Sequence, residues 1–112
     1  MNLTTDRARG IAIVRVNETR LTYPVLAEFT STITGIIESG ERVLLDLSNV
    51  TYVDSATIGC LMDLYRQAAA AGGALKLAGI QKRVETMLTM TGAESVLDVH
   101  ADEPSALKSF GI

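Results

Sequence analysis

The chain has 112 residues, 47% of them hydrophobic and 21% charged, and a formal net charge of -3. That length and apolar content suit a single domain over residues 1–112 with a true core, and exclude a disordered chain. Mild acidity, the absence of a Lys/Arg cluster and an aromatic content of only 4% argue against nucleic acid as partner, because phosphate binding needs a basic face.

The opening "MNLTTDRARG" lacks the apolar run of a secretory signal. The most apolar stretch, residues 53–73, is interrupted by Asp54, Asp63 and Arg66, so no membrane span is expected. One cysteine, Cys60, rules out an internal disulfide and the usual structural zinc sites. A reducing, cytoplasmic setting is the resulting expectation.

In chain order, residues 3–7 read as a short edge strand, closed by the turn signal Arg9-Gly10. "IAIVRV", residues 11–16, is β-branched and reads as a second strand that can pair antiparallel with the first. "NETRLT" reads as a polar loop. Residues 23–37 place Leu26, Phe29, Ile33, Ile36 and Ile37 at helical spacing, with Pro24 in the first turn and Ser39-Gly40 as the stop. "RVLLDL", residues 42–47, is nearly all apolar, the pattern of a strand buried on both faces. "SNVTYV" reads as a loop with apolar anchors.

From Ser55 the period becomes 3.6, with Ile58, Leu61, Met62, Tyr65 and Ala69 on one face and Gly72-Gly73 at the end. A strand over 74–78, a helix over 81–91 stopped by Gly92, a strand candidate over 96–100 and a helix over 104–110 complete the chain. Alternating strands and helices predict an α/β layer fold with a mixed sheet.

Asp54-Ser55 sits where the strand-like pattern passes into a helix, and capping is the plain reading of that pair. A nucleophilic Ser55 would need a base, yet His100 is the only histidine and no G-x-S-x-G elbow surrounds the serine. Asp46, Asp54 and Asp63 are candidate metal carboxylates, but no third ligand or phosphate loop accompanies them, and "GGALKLAG" fits neither glycine-rich nucleotide motif. No cofactor is expected. Cys60 reads as a packed thiol. Ala56, Thr57, Cys60 and Leu64 follow a second stripe of the same helix, small and apolar, which is either packed on both sides or a docking surface adjoining Ser55.

The run from Val43 to Val99 closely resembles the STAS family, in particular the stand-alone bacterial anti-sigma factor antagonists. Three parts carry the resemblance: Asp46-Leu47-Ser48 at a strand end, Val53-Asp54-Ser55 through Ile58-Gly59 at a helix opening, and Gly72-Gly73 followed by a strand and a Lys-Arg helix up to Thr91-Gly92. The resemblance implies a mixed sheet of four to five strands with helices mainly on one side. It implies a non-enzymatic, phospho-switchable module that binds an anti-sigma factor serine kinase and frees a sigma factor. Ser55 would be the phosphorylated residue, reset by a phosphatase. Docking would involve Asp54, Ser55, Ala56, Thr57, Cys60 and Leu64, with Glu18, Arg20 and Thr22 from the loop after the second strand. Thr57 stands where the family pattern has Gly. Two other readings stay open: a non-switching STAS subunit of a lipid-transport or signalling complex, and a metal-dependent enzyme built on Asp46, Asp54 and Ser55.

Overall fold

The apolar positions of "IAIVRV" divide between two cores, and that division organises the molecule. In the computed structural model, which describes residues 1–111, strand β1 (Leu3–Ala8) pairs antiparallel with β2 (Ile11–Val16). Strands β4 (Arg42–Asp46), β6 (Leu75–Ala78) and β7 (Val99–His100) follow in parallel, giving the sheet order β1-β2-β4-β6-β7.

Successive strand side chains point to opposite faces. Ala12, Val14, Val16, Val43, Leu45, Leu75 and Leu77 therefore share one large core with α1 (Leu26–Glu38), α2 (Ser55–Ala70) and α3 (Lys82–Thr91). Ile11, Ile13, Leu44 and Ala78 face the other way, onto α4 (Glu103–Ser109). Each fully buried large apolar side chain contributes about 1.5–3 kcal/mol by transfer from water. The expected mixed sheet with helices mainly on one side is thus present, and α4 alone covers the second face.

Helices α1 and α3 follow their sequence signals closely. Pro24 lies in a 3-10 turn, Tyr23–Val25, which opens into α1. Phe29, Ile33, Ile36 and Ile37 are the buried stripe of α1. Gly92 ends α3 in the left-handed region at φ 79°, which its missing Cβ allows. The short α4 is tied down by polar contacts: Arg15 donates two hydrogen bonds of 2.8 Å to the Glu103 carboxylate, and Lys76 Nζ donates one of 2.8 Å to Ser109 Oγ.

Two segments read as loops contain strands. β3 (Arg20–Leu21) and β5 (Tyr52–Val53) form a separate parallel pair. Two residues cannot display a period, so neither strand was visible by pattern. The strand expected over 96–100 is reduced to β7, because Ala93–Ser95 form a 3-10 turn that carries the chain into it.

Candidate functional site

The β3–β5 pair delivers the chain to the start of α2. Asp54 is the N-cap, in extended conformation, and its Oδ1 accepts the Thr57 backbone N–H at 2.9 Å. The Thr57 hydroxyl lies 2.6 Å from the same oxygen and 2.8 Å from the Leu21 carbonyl, sharing one proton between them. Asp54 Oδ2 accepts the Tyr23 N–H at 2.9 Å. One carboxylate thus joins the opening of α2, strand β3 and the turn before α1. Partial burial raises its pKa, and the hydrogen bonds from Thr57 and Tyr23 outweigh that effect, holding the carboxyl below its ordinary 3.8.

Because Asp54 performs the capping, Ser55 does not have to. Ser55 is exposed at the first position of α2. It borders a shallow groove of about 240 Å³ lined by Tyr52, Ile58, Met87, Met90 and Thr91 among others. Met90 is 81% exposed and Tyr23 is 74% exposed, and they are the exposed large hydrophobics among the described residues. Both belong to the surroundings of Asp54-Ser55, Met90 through the groove and Tyr23 through its amide.

The second stripe of α2 needs correcting. Thr57 is 0% exposed and Leu64 is 1% exposed, so both belong to the core rather than to a surface. Met62 and Tyr65, expected inward, are half-buried, and Ala69 is exposed. The helix is rotated because α1 as well as the sheet packs against it, which draws Leu64 and Ala68 inward. Cys60 is half-buried in a different groove, between α1 and α2, with its Sγ 3.0 Å from Thr30 Oγ1. Burial pushes this thiol above its ordinary value, partly offset by the Thr30 contact. Ala56 is exposed beside Ser55.

The loop residues lie alongside. Arg20 is exposed, Glu18 and Thr22 are half-buried, and β3 runs parallel to β5 as it leads to Ser55. The carboxylate candidates are dispersed. Asp46 accepts the Ser48 N–H at the end of β4, and Asp63 is exposed and paired with Arg66. Among the described residues no cluster of three or more His, Cys, Asp or Glu could hold a metal ion. His100 is on β7, where its Nε2 lies 2.8 Å from Asp98. It does not line the Ser55 groove.

Sequence reasoning missed Tyr23, Tyr52, Met87, Met90 and Thr91 as neighbours of Ser55. One signal for Met90 was available: with Val84 and Leu88 inward, residue 90 lies off the core face of α3.

The family model for the STAS domain matches residues 2–106. The chain belongs to the STAS family. An anti-sigma-B factor antagonist of Bacillus subtilis (strain 168) is 28% identical to this STAS chain over 78 residues, 70% of this chain and 69% of that protein. A STAS domain protein of Planctomyces limnophilus superposes with a TM-score of 0.87 at 16% identity, covering 98% of each chain. The anti-sigma factor antagonist SpoIIAA in its unphosphorylated form superposes at 0.79 with 16% identity, over 99% of this chain and 98% of that one. The Bacillus SpoIIAA has also been solved in the phosphorylated form, which superposes at 0.72 with 15% identity over 97% and 99%. No helix among the described residues is long and apolar enough to cross a membrane.

Proposed function

We propose that this STAS domain is an anti-sigma factor antagonist whose binding is switched off by phosphorylation of Ser55. The observation that carries the reading is the exposed, uncapping Ser55 on α2 with exposed Tyr23 and Met90 about it. Relatives named anti-sigma factor antagonists, and a fold neighbour solved both unphosphorylated and phosphorylated, support it.

The chemistry asks little of this chain. A partner serine kinase, itself the anti-sigma factor, supplies ATP, magnesium and a base. The Ser55 oxygen attacks the γ-phosphorus, its proton passes to the kinase base, and ADP leaves. A phosphate at the start of a helix is tolerated by the dipole and the unbonded amides, so the fold survives. Docking does not, because about -1.5 to -2 charges now stand beside Asp54 and an apolar rim. A loss of about 3 kcal/mol in the complex weakens binding more than a hundredfold, enough to release the partner. A phosphatase restores the hydroxyl. In this reading Asp54, Ser55, Ala56, Arg20, Thr22 and Glu18 border the docking surface together with Tyr23 and Met90, and Cys60 lies to its side. Such a module acts in the cytoplasm without enzymatic activity of its own.

The test is capture of the kinase from the source cell, followed by phosphorylation with ATP and mass spectrometry. One phosphate at Ser55, absent in Ser55→Ala, is expected. Equal phosphorylation of the Ala variant sinks the assignment. Capture of a transporter subunit in place of a kinase favours a non-switching STAS subunit.

A further inference from the structure

Asp54 holds two segments with unequal strength, and this gives the site a directional response. Its Oδ1 receives two groups of Thr57, the backbone N–H at 2.9 Å and the hydroxyl at 2.6 Å. Its Oδ2 receives one, the Tyr23 N–H at 2.9 Å. Thr57 is fully buried and fixed by its second contact to Leu21, whereas Tyr23 is exposed and stands in a three-residue 3-10 turn. Thr22 has no side-chain cap on that turn; the Asp54 bond and the Val25 N–H to Thr22 carbonyl bond of 3.1 Å hold its start, while Val25 packs on the core and the Leu26 N–H bonds to the Tyr23 carbonyl at its end.

We infer that Asp54 transmits the state of Ser55 to the Tyr23 turn: phosphorylation of Ser55 breaks the Asp54–Tyr23 hydrogen bond and frees residues 22–25, while the Thr57 cap stays made. The inference rests on Ser55 being the phosphorylated residue. A dianion on the adjacent side chain repels the Asp54 carboxylate and is drawn to the unbonded amides of the first turn. The carboxylate relieves that repulsion by pivoting on its Oδ1 contact, which swings Oδ2 away from Tyr23. Giving up Oδ2 costs the Tyr23 bond alone, whereas giving up Oδ1 costs the Thr57 amide bond and a share of the hydroxyl proton, and unmakes the cap. The backbone that carries the exposed Tyr23 ring then loses its tie to Asp54. The switch acts on the docking surface twice, by charge at Ser55 and by disorder at Tyr23.

The experiment installs phosphoserine at residue 55 during translation, so no kinase is needed, and follows the backbone amides of the whole chain by NMR. The Tyr23 amide proton, hydrogen-bonded to a carboxylate, is expected downfield in the unmodified protein. Phosphoserine should shift it upfield and raise its hydrogen exchange about tenfold, with the Thr57 amide unmoved. Asp54→Asn keeps one acceptor oxygen for the Thr57 N–H and turns an amino group toward the Tyr23 N–H, so Tyr23 should already exchange faster in the unmodified variant, and phosphoserine should add nothing further. Should that variant fold poorly, relaxation of the amides of residues 22–25 in the phosphoserine protein decides alone. An unmoved Tyr23 amide overturns the inference, as does loss of the Thr57 cap. Either result leaves kinase transfer to Ser55 standing. Transfer to another residue sinks the switch reading while this coupling, measured without kinase, survives as a property of the fold.

Discussion

The guanidinium of Arg20 lies 4.6 Å from the centre of the Tyr52 ring, across the parallel β3–β5 pair. The contact stiffens a pair that has only two residues per strand, and it orients the ring that borders the Ser55 groove. An exposed cation–π contact is worth about 0.5–1 kcal/mol. Arg20→Ala should lower stability in urea by about that amount, and Arg20→Met, which keeps the stem without the charge, by nearly as much. Equal stability of all three proteins would mean the stack contributes nothing.

Leu64 and Met90 separate core from surface. Leu64→Ala should cost about 2–5 kcal/mol in a urea titration, because it empties a buried site between α2 and its neighbours. Met90→Glu should change stability by no more than about 0.5 kcal/mol, as expected for an exposed position. On partner binding the order reverses: the Met90 variant should bind its captured kinase at least about tenfold more weakly by calorimetry, while folded Leu64→Ala should bind nearly as wild type.

Thr57 is buried and polar, with a hydroxyl placed between Leu21 and Asp54. Thr57→Val preserves the shape and deletes the donor, at a cost of about 1–3 kcal/mol. Thr57→Gly, which installs the residue of the family pattern, also removes a buried side chain and adds the helix penalty of glycine, so its thermal midpoint should fall further than that of the Val variant. A Gly variant more stable than the Val variant would show that a branched side chain at residue 57 is accommodated with strain.

The acid limb of stability should report Asp54. Its pKa in the folded chain is depressed below the ordinary 3.8, so the unfolded chain takes up a proton first. The stabilisation from Asp54 is therefore complete above the unfolded value, and it disappears as pH falls through the folded one. Asp54→Asn should be less stable than wild type at pH about 7, and the gap should close as the pH drops below about 4. A gap independent of pH in urea titrations would assign the effect to packing rather than ionisation.

The helices and the longer strands of the main sheet were legible because of their period, apolar run or turn signals, whereas the two-residue β7 was expected longer. "RVLLDL" fits a strand buried on both faces, and Phe29, Ile33, Ile36 and Ile37 stand at the spacing of one helix face. The site was legible as far as Asp54-Ser55, where a capping pair meets a change of period. Its rim was not. Tyr23 and Met90 come from 31 and 36 positions either side of Asp54, counting 54 − 23 and 90 − 54, and only the tertiary fold assembles them. Thr57 and Leu64 were misread because a helix wedged between a sheet and a second helix buries more than one stripe, and period alone cannot say how wide the buried arc is.

Strand β1 leaves one margin of the main sheet without a neighbour, and Asp6 and Arg7 stand on that margin, both exposed. Charges on an open edge make it a poor template for further β-pairing, since any added strand must desolvate them. Asp6 is already engaged by Arg15, and Arg7 by Glu41, so both are committed to this chain's own ions. Copies of this STAS domain can therefore meet at this rim without it serving as a template for fibrils.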